Sequence, residues 1–327
     1  MNSVLKSGRS LRRLWSLLGI AALALLASCG GGTLENAFSP RRVVVFGDEA
    51  SVITSVNGST GLKYSVNYLD TSVTPAAISC GLYPVWTQYL ANALNLPFSA
   101  CVAAGAAAPS VMHAAIGARV ADVSAQIDAH LASGDSFTNR DLVTIMVGAN
   151  DIVDEYKLYA GGTQDIGTSQ SALSQRAVAV SALVQRVVSA GGKVLIATVP
   201  NQGLTPAYVG NGQASSDLTT LSKTFNDALR TALVNYSGRD VGLILADEIV
   251  RLDATYPGSY NLSNATNALC AAPDTASLVS VPCTSASLSS PGTDPGTWLW
   301  AGNFMLGPTA NSQIGSEAYS RATNNPF

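Results

Sequence analysis

The sequence predicts an α/β protein, a three-layer α/β/α sandwich in which helices cover both faces of a parallel sheet. Short apolar runs rich in Val, Ile and Leu indicate the sheet, because strands buried on both faces lose the polar and apolar alternation of half-exposed strands. Segments with apolar residues at helical spacing alternate with these runs along the chain. The 327 residues are 47% hydrophobic and 12% charged, which also indicates a folded protein with a large core.

Four apolar runs are the predicted strands of this sheet, and five segments with helical periodicity are the predicted helices. The predicted strands cover residues 43–46, 142–147, 193–199 and 242–247. The predicted helices cover residues 83–94, 119–131, 169–190, 218–234 and 309–322. Two polar stretches interrupt the alternation. We expect a long loop or irregular insertion up to residue 77, and a long surface excursion, held by a disulfide, over residues 253–297.

The first residues have the features of an export signal. A basic segment that contains Lys6 and three arginines precedes an apolar run, residues 14–26, which is too short for a comfortable membrane span. The small residues before Cys29 resemble the lipobox of bacterial lipoproteins, in which the cysteine becomes the acylated N-terminus after cleavage. An ordinary signal peptide that happens to carry a cysteine is the alternative.

This pattern divides the chain into three parts. We expect a signal peptide at residues 1–28, a flexible Gly-rich tether at residues 29–40 and one folded domain at residues 41–327. The lipobox resemblance implies a bacterial cell-envelope protein, lipid-anchored through acylated Cys29 at the periplasmic face or the outer membrane. Loss of residues 1–28 removes four positive charges and no acidic residue, so the formal charge changes from −3 to −7. This charge argues against nucleic acid as a partner.

Four cysteines follow the lipobox, an even number that predicts two disulfides in an exported chain. Nearness in sequence favours the pairs Cys80–Cys101 and Cys270–Cys283, although four cysteines allow three connectivities. Metal binding is the weaker interpretation, because the spacings are long and the chain has two histidines. We therefore expect neither a metal nor another cofactor.

The strongest functional signal follows the first predicted strand. Gly47 and Asp48 indicate a sharp turn that places the next side chain at the carboxyl end of the strand, where open α/β sheets keep their active sites. A nucleophile at that point is normally a hydroxyl or a thiol with a histidine base in reach. The residue in this position is Glu49.

Two further segments belong to the same predicted edge of the sheet. Gly117 precedes a helix, and Asn150 and Asp151 follow a strand. Together with Gly47 and Asp48, these positions resemble the SGNH, or GDSL, family of serine ester hydrolases, from about residue 41 to the end of the chain. The resemblance implies a flavodoxin-like parallel sheet and ester hydrolysis without a cofactor. It also implies an oxyanion hole formed by the backbone N–H of Gly117 and the side-chain amide of Asn150, with Asp48 and Asp151 in support.

The three residues that carry the chemistry of this family are substituted. Glu49 occupies the position of the serine. The family's Asp-x-x-His segment aligns with residues 300–309, and places Gly302 where the aspartate belongs and Met305 where the histidine belongs. Methionine cannot accept a proton from a hydroxyl, and glycine has no carboxylate to orient a base. Three substitutions together indicate lost catalysis.

An active ester hydrolase with a displaced nucleophile is the main alternative. Ser51 is the nearest hydroxyl to the turn, and His113 lies four residues before Gly117. Ser51 cannot simply take the place of Glu49, because side chains two residues apart on a helix point about 200° apart. His130, near the end of a predicted helix, is interpreted as a solvated surface histidine.

For Glu49 itself the sequence leaves two roles open. Its carboxylate occupies the oxyanion hole as a built-in anion, stabilised by Gly117 and Asn150, or it caps a helix. In the first case the chain is a catalytically inactive homologue that binds an acyl or glycan-type ligand in the remaining pocket. A surface scaffold or adhesion module, with contacts through residues 253–297, is a further alternative. The sequence does not give the oligomeric state.

Overall fold

The computed structural model describes residues 38–56, 59–236, 238–270 and 283–324. The predicted signal peptide, Cys29 and most of the predicted tether lie outside these ranges. No helix within the four ranges combines the length and the apolar character needed to cross a bilayer.

A five-stranded parallel sheet forms the centre of the fold. In chain order its strands are β1 (Arg42–Gly47), β2 (Val111–Met112), β3 (Asp141–Met146), β4 (Lys193–Ala197) and β5 (Val241–Ile244). Their spatial order is β2-β1-β3-β4-β5, and every neighbouring pair is parallel. This is the flavodoxin-like order, in which the ligand crevice lies beyond the carboxyl ends of β1 and β3.

The residues of β1 show why the sequence forms a central strand. Successive side chains of a strand point to opposite faces, and both faces are apolar here. Val43 and Val45 pack in one core cluster, whereas Val44 and Phe46 pack in the other. All four are fully buried, as the uninterrupted apolar run predicts.

Seven helices in the described ranges cover the two faces of the sheet. They are α1 (Trp86–Ala93), α2 (Val120–Ala132), α3 (Ala149–Ala160), α4 (Ile166–Ser189), α5 (Gly212–Leu233), α6 (Ala246–Thr255) and α7 (Pro308–Asn324). Helices α1, α6 and α7 pack on the face of Val43, and α2 to α5 pack on the face of Val44. The predicted three-layer α/β/α sandwich is therefore confirmed.

Two polar stretches are more ordered than predicted. After β1, Ile53–Val56 pairs with Ser59–Lys63 and Tyr68–Asp70 pairs with Ala77–Ser79, so two antiparallel hairpins replace the expected loop. Within residues 253–297, Asn264–Ala268 pairs with Trp298–Trp300, while residues 271–282 lie outside the described ranges. These strands have three to five residues, too few for an alternating pattern to be recognised in the sequence.

Helices α3 and α6 were not predicted. In α3, the buried apolar residues are Ile152 and Val153, which give too narrow a stripe for a periodicity argument. The predicted strand at 242–247 is wrong at its end, because α6 begins at Ala246. Acidic residues in its first turn, Asp247 and Glu248, are the usual signal of a helix start.

Both predicted disulfides are confirmed. The Cα atoms of Cys80 and Cys101 are 5.3 Å apart, and those of Cys270 and Cys283 are 5.7 Å apart. The first disulfide joins the end of the hairpin insertion to the segment before β2. The second lies beside a small apolar cluster near the loop before α7.

Candidate functional site

The turn after β1 requires a glycine. Gly47 has a φ of +129°, and a Cβ at this position would lie 2.0 Å from the carbonyl oxygen of Met146 on β3. The same oxygen accepts the N–H of Asp48 at 3.0 Å, which ties the turn to the neighbouring strand. The Asp48 carboxylate then accepts the N–H of Ala50 at 3.2 Å and caps a short 3₁₀ turn, Glu49–Ser51. The turn therefore directs Glu49 to the carboxyl edge of the sheet.

Two loops bring hydrogen-bond donors to the same edge. Gly117 has a φ of +74° and lies in the loop between β2 and α2, where a Cβ would meet no atom within 4 Å. The backbone conformation therefore favours glycine here, and steric contact with a neighbouring residue does not. Asn150 lies in the first turn of α3, and its side-chain amide donates to the carbonyl oxygen of Ala118 at 3.1 Å. This bond holds the amide next to the Gly117 loop.

The structure brings Glu49, Gly117 and Asn150 together. Oε2 of Glu49 accepts the backbone N–H of Gly117 at 2.9 Å and the side-chain Nδ2 of Asn150 at 2.9 Å. Nδ2 of Asn150 also lies 3.1 Å from Oε1. Both donors that the family resemblance assigns to the oxyanion hole therefore bind the carboxylate of Glu49. The cap of the 3₁₀ turn is Asp48, so Glu49 does not serve as a helix cap.

Two buried aspartates support this arrangement. Asp48 is 1% exposed, and burial raises its pKa well above the usual range, with a further contribution from the negative charge of Glu49. Asp151 accepts the N–H of Val120 at 3.0 Å, which fixes the start of α2, and lies 3.5 Å from the guanidinium of Arg176. Burial also raises the pKa of Asp151. These carboxyls hold the loops in place and are enclosed by the fold.

A cleft with a volume of about 480 Å³ opens above Glu49. Aromatic side chains form much of its wall, and Tyr208 and Phe304 contact each other with ring centroids 5.9 Å apart. Charged residues line it too: Arg119 Nε lies 2.6 Å from Asp154, and Lys157 Nζ lies 3.9 Å from the same carboxylate. The cleft thus combines aromatic side chains, the carboxylate of Glu49, and an Asp154 carboxylate near Arg119 and Lys157.

The predicted positions Gly302 and Met305 lie in the loop before α7. The Met305 side chain is buried in the small apolar cluster beside the second disulfide, and its backbone oxygen accepts N–H bonds from Ala301 and Gly302 at 2.8 and 3.3 Å. Neither Gly302 nor Met305 lines the cleft, whereas Phe304 does. Their assignment to the aspartate and histidine positions stays a prediction from the sequence.

The alternative pair of Ser51 and His113 is wrong. Ser51 is 0% exposed, and its Oγ accepts the indole N–H of Trp86 at 3.2 Å. His113 stacks on Phe46 with ring centroids 5.3 Å apart. Trp86 and Phe46 belong to the core clusters on opposite faces of the sheet, so the two side chains point away from each other. Ser51 is a core hydroxyl and not a nucleophile.

The interpretation of His130 as a surface histidine is also wrong. His130 is 0% exposed, stacks on Phe137 at 4.6 Å and shares a hydrogen bond with His113, whose Nε2 lies 3.1 Å from His130 Nδ1. Burial lowers the pKa of both histidines. The pair is therefore part of the packing between α2 and the sheet.

The opposite wall of the cleft was not predicted from the sequence. Gln202 and Tyr208 come from the segment after β4, and Asp154 and Lys157 come from α3. The carboxyl ends of neighbouring parallel strands share one edge, so the end of β4 at 197 was a usable signal for the first pair. The second pair had no signal, since α3 itself was not recognised.

A family model described as GDSL-like lipase/acylhydrolase matches residues 44–279. No curated protein sequence matches the chain.

Solved structures also resemble it. A member of the lipolytic G-D-S-L family from Veillonella parvula has 12% identity and a TM-score of 0.39, over 69% of this chain and 88% of the other. A catalytic mutant of an acetylxylan esterase from Geobacillus stearothermophilus has 12% identity and a TM-score of 0.46, over 86% and 93%. An extracellular lipase from Streptomyces rimosus has 16% identity and a TM-score of 0.38, over 62% and 80%. None of these three similarities bears on activity.

Proposed function

Because the chain belongs to the GDSL-like lipase/acylhydrolase family, we propose that it keeps the architecture of an ester hydrolase but binds a ligand without hydrolysing it. One observation carries this proposal: the carboxylate of Glu49 accepts hydrogen bonds from both Gly117 and Asn150. The ligand is of acyl or glycan type, which suits a cleft of about 480 Å³ with aromatic walls.

The electrostatics of ester hydrolysis supports a loss of activity. Acyl transfer builds negative charge on the carbonyl oxygen, and loss of one donor in an oxyanion hole costs about 2.7–4 kcal/mol. In this chain the donors of Gly117 and Asn150 already hold an anion, so an ester carbonyl would have to displace Glu49. A developing oxyanion beside that carboxylate would also be repelled. Both effects raise the barrier for the family reaction.

The base of the reaction is also missing from the cleft. Neither histidine of the chain lines it, since both lie in the packing of α2 against the sheet. A serine nucleophile without a base gains little, because nucleophile and base act as a unit. The cleft therefore has neither a serine at position 49 nor a histidine base. It binds ligands and leaves ester bonds intact.

The test is hydrolysis of short p-nitrophenyl esters by the purified protein. We expect turnover within about tenfold of the buffer rate, whereas hydrolases typically accelerate reactions at least about 10⁶-fold. Glu49→Ser alone should stay equally inert, because it restores the hydroxyl but not the base. Substantial turnover by the purified wild type would overturn the proposal. Mass spectrometry of small molecules that co-purify with the protein would identify the ligand.

We further propose that the protein is exported and anchored in the bacterial cell envelope through acylated Cys29. The sequence of residues 1–32 supports this proposal, and these residues lie outside the described ranges. Metabolic labelling with a fatty acid should mark the wild type, and Cys29→Ser should abolish the label. Equal labelling of both proteins would contradict the anchor.

A further inference from the structure

The negative charge of Glu49 has no cationic partner in the described part of the chain. Its carboxylate receives neutral donors, the N–H of Gly117 and the amide of Asn150. A carboxylate offers about four acceptor sites, two on each oxygen. Nδ2 of Asn150 is shared between Oε1 and Oε2, and it is the donor that Oε1 contacts here. The side chain lines the cleft, so the spare acceptor capacity of Oε1 is available to a ligand.

The two cations that line the cleft are committed elsewhere. Arg119 donates from Nε to Asp154 at 2.6 Å and from Nη1 to the carbonyl oxygen of Gly117 at 3.1 Å. Lys157 Nζ lies 3.9 Å from Asp154. Both side chains are at least half exposed, at 50% and 63%, so they belong to the rim. Within the described residues, neither cation forms an ion pair with the carboxylate of Glu49, whose contacts are neutral donors.

The immediate surroundings of Glu49 supply neutral donors and apolar side chains, and no cation in contact with its carboxylate. Asp48, the neighbouring residue, is a second carboxyl and is buried, so it adds no positive charge. The cleft wall is largely apolar, with Met146, Val199 and Phe304 among its members. An anion beside an apolar surface loses part of its hydration, and contact with a cation offsets part of that loss.

The chemistry of the wall favours an organic cation over a metal ion. Calcium takes six to eight oxygen ligands, and zinc takes four nitrogen, sulfur or oxygen ligands. Across the residues that the structure describes, no three His, Cys, Asp or Glu side chains are grouped to hold a metal. An alkylammonium group needs one carboxylate and apolar or aromatic neighbours, because ring faces attract cations. Tyr208 and Phe304 contribute two rings to the lining of the same cleft.

We infer that the ligand of this cleft carries an organic ammonium group that binds the carboxylate of Glu49. This assignment rests on the proposed binding function. The site would bind a cation where a hydrolase of the family stabilises an anion. Gly117 and Asn150, which would hold an oxyanion in a hydrolase, here hold an acid whose free side receives a cation. An ester substrate presents a carbonyl oxygen to this site, whereas the proposed ligand presents a hydrogen-bond donor.

Three probes with one six-carbon chain test this inference: hexylamine, hexanol and hexanoate, titrated calorimetrically into the full chain at neutral pH. We expect hexylammonium to bind at least about tenfold more tightly than hexanol, and hexanoate to give no detectable binding. Glu49→Gln should weaken hexylammonium about tenfold and leave hexanol within about threefold. Asp128→Asn, which removes one exposed charge from α2, should change none of the three.

The outcomes separate this inference from the proposed function. Equal affinities for the three probes, or no binding of hexylammonium up to about 10 mM, would overturn the ammonium site and leave a non-hydrolysing protein. Turnover of p-nitrophenyl esters by the wild type would overturn the proposed function, whichever probe binds. The comparison of probes on the wild type needs no variant, so a folding defect in Glu49→Gln does not weaken it.

Discussion

Replacing Gly47 with alanine should destabilise the protein by about 3 kcal/mol or more. Two causes act together at this position. A φ of +129° lies outside the regions that alanine adopts without strain, and the new Cβ would lie 2.0 Å from the Met146 carbonyl oxygen. That oxygen belongs to the backbone of β3 and accepts the N–H of Asp48, so it cannot move away without loss of the turn.

Denaturation with urea measures this effect, and two other glycines serve as controls. Gly117→Ala meets no atom within 4 Å but keeps a φ of +74°, so it should cost about 1 kcal/mol from conformation alone. Gly81→Ala meets no atom and has no positive φ, so its effect should stay within about 0.5 kcal/mol. A Gly47→Ala protein as stable as the Gly81→Ala control would show that the turn is not packed as described.

The second large effect concerns Asp253 on α6, which does not line the cleft. The residue is 0% exposed, and neither carboxylate oxygen has a hydrogen bond of normal geometry within the described residues. Burial raises its pKa to about 6, an effect that the side chain of Gln313 partly offsets. The folded state therefore favours the protonated carboxyl, and stability falls as the pH rises from the ordinary value near 3.8 to about 6.

Asp253→Asn removes this ionisation. We expect the difference in unfolding free energy, variant minus wild type, to increase by about 2 kcal/mol between pH 4 and pH 7.5, after allowance for solvent screening. Urea denaturation of both proteins at pH 4, 5, 6 and 7.5 measures it. His113 and His130 are present in both proteins, so their loss of stability at acid pH cancels in the difference. If the unfolding free energies of the two proteins changed in parallel with pH, ionisation of Asp253 would not destabilise the folded protein.

The sequence was sufficient for the core of the site and for four of the five strands of the sheet, but not for the two-residue strand β2. Val43, Val45 and Phe46 are buried on both faces of β1, and an uninterrupted apolar run has few other interpretations. Gly47 and Asn150 follow strand ends, and parallel strands bring their carboxyl ends to one edge. The contact between Glu49 and Asn150 could therefore be anticipated from position along the chain.

The errors about Ser51, His113 and His130 share one physical cause, which is that position along the chain does not show the face of the sheet on which a side chain packs. Ser51 is close to Glu49 in sequence, yet it packs against Trp86 on one face while His113 packs against Phe46 on the other. His130 is polar and near a helix end, but its partner His113 is 17 residues away in sequence. Burial of a polar residue depends on such a distant partner, which periodicity does not reveal.

The cleft wall shows the same limit. Tyr208 and Phe304 are about a hundred residues apart and meet in one wall because the loops after β4 and before α7 both cross the carboxyl edge. Met305 is adjacent to Phe304 but points into the cluster beside the second disulfide. An alignment places a residue at a position, whereas the direction of its side chain depends on the loop conformation.

The most direct test of the central claim is a high-resolution crystal structure of the wild type at neutral pH. We expect Oε2 of Glu49 to lie about 3 Å from both the Gly117 nitrogen and Nδ2 of Asn150. In Glu49→Ser, the same two donors should hold water or a small anion. A Glu49 side chain turned to solvent, with free Gly117 and Asn150 donors in the wild type, would contradict the claim that this protein fills its own oxyanion hole.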